Sequence, residues 1–250
     1  MEIIKDFFNI NKSTLKKSVN SITSNWIIIF SGIIYTILNV AIYTVVGTIF
    51  RGVLFILAGF ILAIVSSSLI SNYLYLLYNV INYDRIKLDD FKEGFKYFLW
   101  KIYGVFFIAW IGSYILSALG GILRSNSHML STLISILILF LLNALPETLY
   151  LKHLSAGESI MYALEFMKEN WINWLIPNVI FYLILYVLTG NILTNLFTTH
   201  LSFNFDFSIQ NILRYLLGQI LFSFIMIYRG HLFKLLSTST RRKRMFMNKF

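Results

Sequence analysis

Glu147 follows Pro146 near the end of an apolar run, and no other ionisable residue in the chain is so well placed to do chemistry. A carboxylate inside hydrocarbon couples protons or orients a substrate; one at the interface only reaches headgroups or a basic neighbour. Lys152 lies five residues on, and five helical residues rise about 7.5 Å. That places Glu147 within reach of water near the inner interface, paired with a polar or basic group such as Lys152 or Lys101. On this reading Glu147→Gln leaves folding largely intact. Pro146 withdraws an N–H from the helix ladder and frees the carbonyl of Leu142. A second polar concentration lies in another apolar run, where Ser66, Ser67, Ser68, Ser71 and Asn72 stand close together. Small and hydroxyl residues let helices approach and bond across their interface; the alternative is a polar lining for a substrate path. Asn39, Asn143 and Gln219 fit either arrangement.

Other chemistry is excluded by residue type. There is no cysteine, so thiol catalysis, disulfides and cysteine-held metals are out. His128, His153, His200 and His231 share no helical-turn spacing, and no H-E-x-x-H occurs. There is no G-x-S-x-G, no P-loop and no nucleophile beside a base. Neither an enzyme nor a bound cofactor or metal is expected.

The elements that must position these residues are membrane helices. Of 250 residues 58% are hydrophobic and 13% charged, and the mean hydropathy is +0.73. A hydrocarbon core of about 30 Å needs about 20 apolar residues, and such runs recur at about 26–48, 53–75, 100–123, 129–150, 171–188 and 210–228. The first is too long for a signal-peptide core and reads as a retained helix. The net charge of +10 would suggest nucleic acid in a soluble protein. Here it is better explained by basic residues that flank membrane helices on the cytoplasmic side. With six spans, 18 Lys and Arg fall on the side of the termini and 3 (Arg51, Arg124 and Arg214) on the other. Both termini are therefore expected in the cytoplasm, in a cell membrane, with anionic lipid of the inner leaflet as the partner and no nucleic acid.

A pattern recurs before three of these runs. Leu15, Val19, Ile22 and Trp26 stand at i, i+4, i+7 and i+11; so do Phe91, Phe95, Phe98 and Ile102, and Ile160, Leu164, Met167 and Trp171. Each series is one face of a helix. Each carries a small residue three places after its first member: Ser18, Gly94 or Ala163. Ser155 and Glu158 have capping-box spacing at the start of the third. The expected fold is all-α, with six spans as three hairpins, each preceded by a cytoplasmic interfacial amphipathic helix. The units cover about 11–81, 87–150 and 155–236, and residues 237–250 form a basic tail. Trp26, Trp100, Trp171 and Trp174 are expected at headgroup level. Arg241, Arg242, Lys243 and Arg244, with Met245, Phe246, Met247 and Phe250 beyond, suit a membrane surface, at about 1 kcal/mol per basic residue. Pro177 either kinks the fifth span or starts it. Leu201, Phe203, Phe205 and Phe207 alternate, as in an extended segment lying on the outer leaflet or capping the bundle.

The segment LPETLYLKHLSAGESIMYALEFMKENWINWL, residues 145–175, resembles bacterial polytopic proteins that include the membrane domain of some glycerophosphoryl diester phosphodiesterases and stand-alone relatives of poorly defined function. The matching positions are Pro146, Glu147, Ala163 and Trp171. The resemblance implies a helical membrane fold of several hairpins; it does not imply the esterase activity, which needs a separate soluble domain. The expected function is a non-enzymatic membrane module. It binds or moves amphipathic molecules, lipid or peptide, or serves as the membrane subunit of a transport, export or immunity system, with a membrane protein or a second copy as partner. The alternative is a self-contained proton-coupled secondary transporter using Glu147. A continuous polar cavity reaching Glu147 would favour the transporter, and a closed bundle or a lipid-facing groove the module.

Overall fold

The computed structural model describes residues 2–50, 52, 55–123, 127–203 and 208–239. Among these every regular element is a helix: α1 (Glu2–Ser24), α2 (Ile27–Ile49), α3 (Phe55–Tyr83), α4 (Leu88–Tyr97), α5 (Leu99–Leu123), α6 (Ser127–Leu141), α7 (Leu145–Leu151), α8 (Ala156–Thr189) and α9 (Ile209–Thr238). Five helical stretches are long and apolar enough to cross a membrane, and six if the bent pair α6–α7 is one span. Their outward faces carry Ile34, Ile37, Val40, Trp110, Tyr114, Leu137, Leu183 and Val187 exposed. A soluble protein rarely leaves so continuous an apolar surface uncovered.

Three helices meet in the middle. α3, α7 and α9 each touch the other two, and α1, α4 and α8 pack around them. α4 packs on α3, α8 on α7 and α9, and α1 on α9. The contacts between α1 and α9 show how α1 lies. Asn11 accepts a bond from the hydroxyl of Tyr228, and Ser21 Oγ is 3.0 Å from Nε2 of His231. Ten residues of α1 advance about 15 Å while three of α9 advance about 4.5 Å, so α1 crosses α9 rather than running beside it. Its buried face is Asp6, Ile10, Thr14, Ser18, Ser21 and Asn25. The apolar series chosen from sequence points elsewhere, since Leu15, Val19 and Trp26 are exposed. The small positions Ser18, Gly94 and Ala163 are all buried.

α4 docks on α3 through the serine cluster. Ser68 Oγ donates to the Phe95 carbonyl (2.8 Å), Ser71 Oγ to that of Gly94 (2.6 Å), and Asn72 Nδ2 to that of Phe91 (2.6 Å). Ser71 also accepts from the N–H of Phe98 (2.7 Å), and Asn72 Oδ1 from the hydroxyl of Tyr35 (2.6 Å). Gly94 and Phe95 carry two of the last four carbonyls of α4, which have no partner inside their own helix; α3 supplies it. Ser67 bonds the Ala63 carbonyl of its own helix at 2.7 Å. Side chains that could have lined a path are thus spent on packing. A Cβ at position 94 would meet Asn72 Cα at 3.1 Å and Tyr75 Cβ at 3.2 Å. Gly94→Val is therefore expected to cost about 1–3 kcal/mol through overpacking. It should make the 84–98 connection cleavable by protease in detergent, whereas Gly59→Val, with no atom within 4 Å, should leave cleavage unchanged.

The capping box of α8 is present. The Glu158 N–H donates to Ser155 Oγ (3.4 Å), and the Ser155 N–H to Glu158 Oε2 (2.8 Å). α8 then continues without a break past Trp171, so the third amphipathic stretch and the span after it are one helix. Pro177 lies inside that helix and does not start the span. α8 ends at Gly190, whose φ of 72° is left-handed and open to glycine without steric cost.

Candidate functional site

The apolar run at 129–150 is not one straight helix. Leu142, Asn143 and Ala144 form a turn between α6 and α7, and the two helices meet at 40°. Pro146 sits in the first turn of α7, where its missing N–H costs nothing. The Leu142 carbonyl is taken by the N–H of Leu145 at 2.9 Å. The Asn143 carbonyl and side chain remain to face the bundle.

Arg229 of α9 fills that place. Its Nε donates to Glu147 Oε1 at 2.6 Å and its Nη2 to Glu147 Oε2 at 2.9 Å. Nη2 also donates to the Asn143 carbonyl (2.6 Å), and Nη1 to Asn143 Oδ1 (3.1 Å) and to the hydroxyl of Tyr182. A guanidinium has five N–H donors, so this one is fully used. Trp174 Nε1 donates to the same Asn143 Oδ1 at 2.9 Å, and the Trp174 ring centroid lies 5.0 Å from the guanidinium carbon, within cation–π range. Glu147 is 2% exposed and Arg229 3%. The pair is a closed, satisfied network, built from α7, α8, α9 and the turn between α6 and α7.

Several sequence expectations are corrected here. Glu147 is buried in protein, and its basic partner is Arg229 rather than Lys152 or Lys101. Lys101 Nζ instead donates to the Leu149 and Lys152 carbonyls, at 2.6 and 2.9 Å. Glu147→Gln, expected to be mild, removes the partner of a buried guanidinium. Arg229, counted among the cytoplasmic positive charges, is an interior cation, which leaves 17 rather than 18 on that side. Trp174 is no headgroup anchor: it is 0% exposed, against 58% for Trp26, 72% for Trp100 and 49% for Trp171. Ser71 and Asn72 lie on the α3–α4 contact, Ser67 bonds its own helix, and none of the three bonds the ion pair. Arg241, Arg242, Lys243 and Arg244, and positions 204–207 of the alternating stretch, lie outside the described residues.

Sequence reasoning put Leu201 in an extended capping segment but missed the burial of the residues before it. The segment after α8 is non-helical, yet Phe197, Thr199 and Leu201 are buried. Phe197 packs edge-on against Phe106 of α5, with centroids 5.4 Å apart. The Leu201 N–H donates to Gln219 Oε1 at 3.3 Å, and Gln219 occupies the notch at Gly32, where a Cβ would lie 2.1 Å from Gln219 Nε2. Leu196, Phe197, Thr198 and Thr199 close one side of a cavity of about 10 Å³ that also touches Tyr73, Glu147, Tyr150 and Arg229. That is about one water's room.

Fold and site together define a multi-pass helical membrane protein with a sealed ion pair in its centre. No family model, curated protein or solved structure matches the chain. Among the described residues no group of three or more His, Asp or Glu is arranged to hold a metal ion.

Proposed function

We propose that the chain is a non-enzymatic membrane module that binds amphipathic molecules, with the acyl chain of a lipid seated in a groove between α3 and α5. That groove carries the proposal. It has about 410 Å³ and is lined by Gly59, Phe60, Ala63, Tyr103, Phe106, Phe107 and Trp110. Gly59 and Ala63 stand one turn apart on α3 and leave its floor open, with no atom within 4 Å of where a Cβ of Gly59 would be. Phe60, Phe107 and Trp110 are exposed along its rim. Both helices belong to stretches that can cross a bilayer, so the medium outside the groove is lipid. The proton-coupled reading is disfavoured, because a coupling carboxylate must be reached by solvent and Glu147 is enclosed.

On this proposal the chain is three units, each a leading amphipathic helix, an outward-running span and a return helix. The way α4, α8 and α1 pack on α3, α7 and α9 supports that division. The exposed lysines of α1 and Trp26, Trp100 and Trp171 suit the cytoplasmic leaflet, where the basic tail joins them on anionic lipid. The resemblance to the diesterase membrane domains rests on Pro146, Glu147, Ala163 and Trp171.

Two measurements check this. In vesicles a phospholipid with a photoactivatable acyl chain should crosslink preferentially to Tyr103, Phe107 or Trp110, and Ala63→Trp should reduce that labelling several-fold. Even labelling over all outward faces, unchanged in Ala63→Trp, would sink the groove reading. For topology, cysteines placed at Ser125 and Ser239 of this cysteine-free chain should react from opposite sides of the membrane, with Ser239 cytoplasmic. Reaction from the same side rejects the six-span arrangement.

A further inference from the structure

The ends of α8 and α9 away from the termini enclose a second, more polar recess. It has about 140 Å³ and is lined by Thr189, Asn191, Leu201, Ser202, Phe203, Asn211, Arg214 and Tyr215. Its walls are fixed. Leu201 is buried and held by Gln219, Phe203 packs edge-on against Tyr215 with centroids 4.9 Å apart, and the Tyr215 hydroxyl is 3.4 Å from Thr36 Oγ1 of α2. Gly218 lets Thr189 approach, since a Cβ there would lie 2.4 Å from Thr189 Cγ2.

Arg214 is the cation of this recess. Among the described residues the ion pair formed is Glu147–Arg229, and no hydrogen bond of Arg214 is found. It projects from the first turns of α9, next to the outward apolar residues Leu213, Leu217 and Ile220. A guanidinium at the mouth of a polar recess, above a face that meets acyl chains, has the layout of a phospholipid: an anionic phosphate at the boundary, hydrocarbon below it. Guanidinium binds phosphate through paired N–H donors, and the amides and hydroxyls of Asn191 and Ser202 add neutral donors at the rim.

We infer that the Arg214 recess is a phosphate site that takes the headgroup of a phospholipid in the leaflet opposite to the termini. The inference requires only that the chain cross the bilayer, and it stands apart from the groove between α3 and α5. The same chemistry could be met by free inorganic phosphate, so the test has an arm for each source.

The protein in nanodiscs of digalactosyl diacylglycerol, a neutral bilayer-forming lipid without phosphate, is titrated with phosphatidylglycerol, and bound lipid is counted by native mass spectrometry. Binding at one saturable site is expected, weakened about tenfold in Arg214→Gln, the loss of a charge-assisted contact of about 1.4 kcal/mol. Arg214→Lys should recover part of it. Asn191→Asp, which puts a like charge beside the phosphate, should weaken it too without touching Arg214. Inorganic phosphate at millimolar concentration should not compete. If it binds at the Arg214 site and displaces the lipid, the phosphate assignment stands and the lipid source is overturned. If phosphatidylglycerol and phosphate bind equally to the parent chain, Arg214→Gln and Asn191→Asp, the inference is wrong. Arg214 is exposed, and unchanged thermal midpoints of the variants would show that lost binding is not lost fold.

Discussion

Arg229→Gln is expected to destabilise the protein by about 3–5 kcal/mol, because it strands the Glu147 carboxylate in the interior. Glu147→Gln should do comparable damage from the other side, leaving a guanidinium with two of its bonds weakened. The double variant should recover a large part of either loss, since two amides can bond each other where two lone charges cannot be tolerated. Unfolding in mixed detergent micelles gives the four free energies of the cycle. If the double variant costs the sum of the singles, the two residues are not coupled and the network as described is wrong.

The second large effect belongs to Trp174. Removing a wholly buried indole costs about 3–5 kcal/mol in cores. Here Trp174→Ala also removes a donor from Asn143 and the aromatic face under Arg229. Trp171→Ala, three residues earlier and half exposed, should change the unfolding free energy by less than about 0.5 kcal/mol. Equal effects of the two variants would return Trp174 to the membrane surface.

These two tryptophans show where the sequence stops being readable. The runs themselves were plain: an apolar stretch of membrane length needs no tertiary information. The helices α2, α5 and α9 begin within a residue of the expected spans. The start of α8 was written in Ser155 and Glu158. A helix apolar on every side, however, does not say which side faces protein, so Trp171 and Trp174 looked alike. Arg229 followed an apolar run and therefore read as a flanking charge. Only the continuation of α9 for nine residues past it, covered by α1 and α8, makes it interior. Asn143 and Gln219 stood out as polar residues in apolar runs, but their partners, Arg229 and the Leu201 N–H, lie 86 and 18 residues away. Phe197, Thr199 and Leu201 do alternate inward, but with a threonine as the middle member the pattern is legible only from Leu201 onward.

The contact between α1 and α9 bears on how the chain is made. α1 is synthesised well before α9, and its packed face is Asp6, Thr14, Ser18, Ser21 and Asn25 with a single apolar member, Ile10. The surface that covers those residues, Tyr228 to Leu236, comes more than 200 residues later. At about 5–20 residues per second the nascent α1 waits in place some tens of seconds with that face turned to water. It can wait there because the face is polar; an apolar one would have to bury itself at once. When α9 arrives, Ser21 meets His231 and Asn11 meets Tyr228, and α1 is joined to a helix far along the chain. α9 is thus the helix that locks α1, and a chain cut short before Ile209 would keep α1 to α8 yet never make that contact.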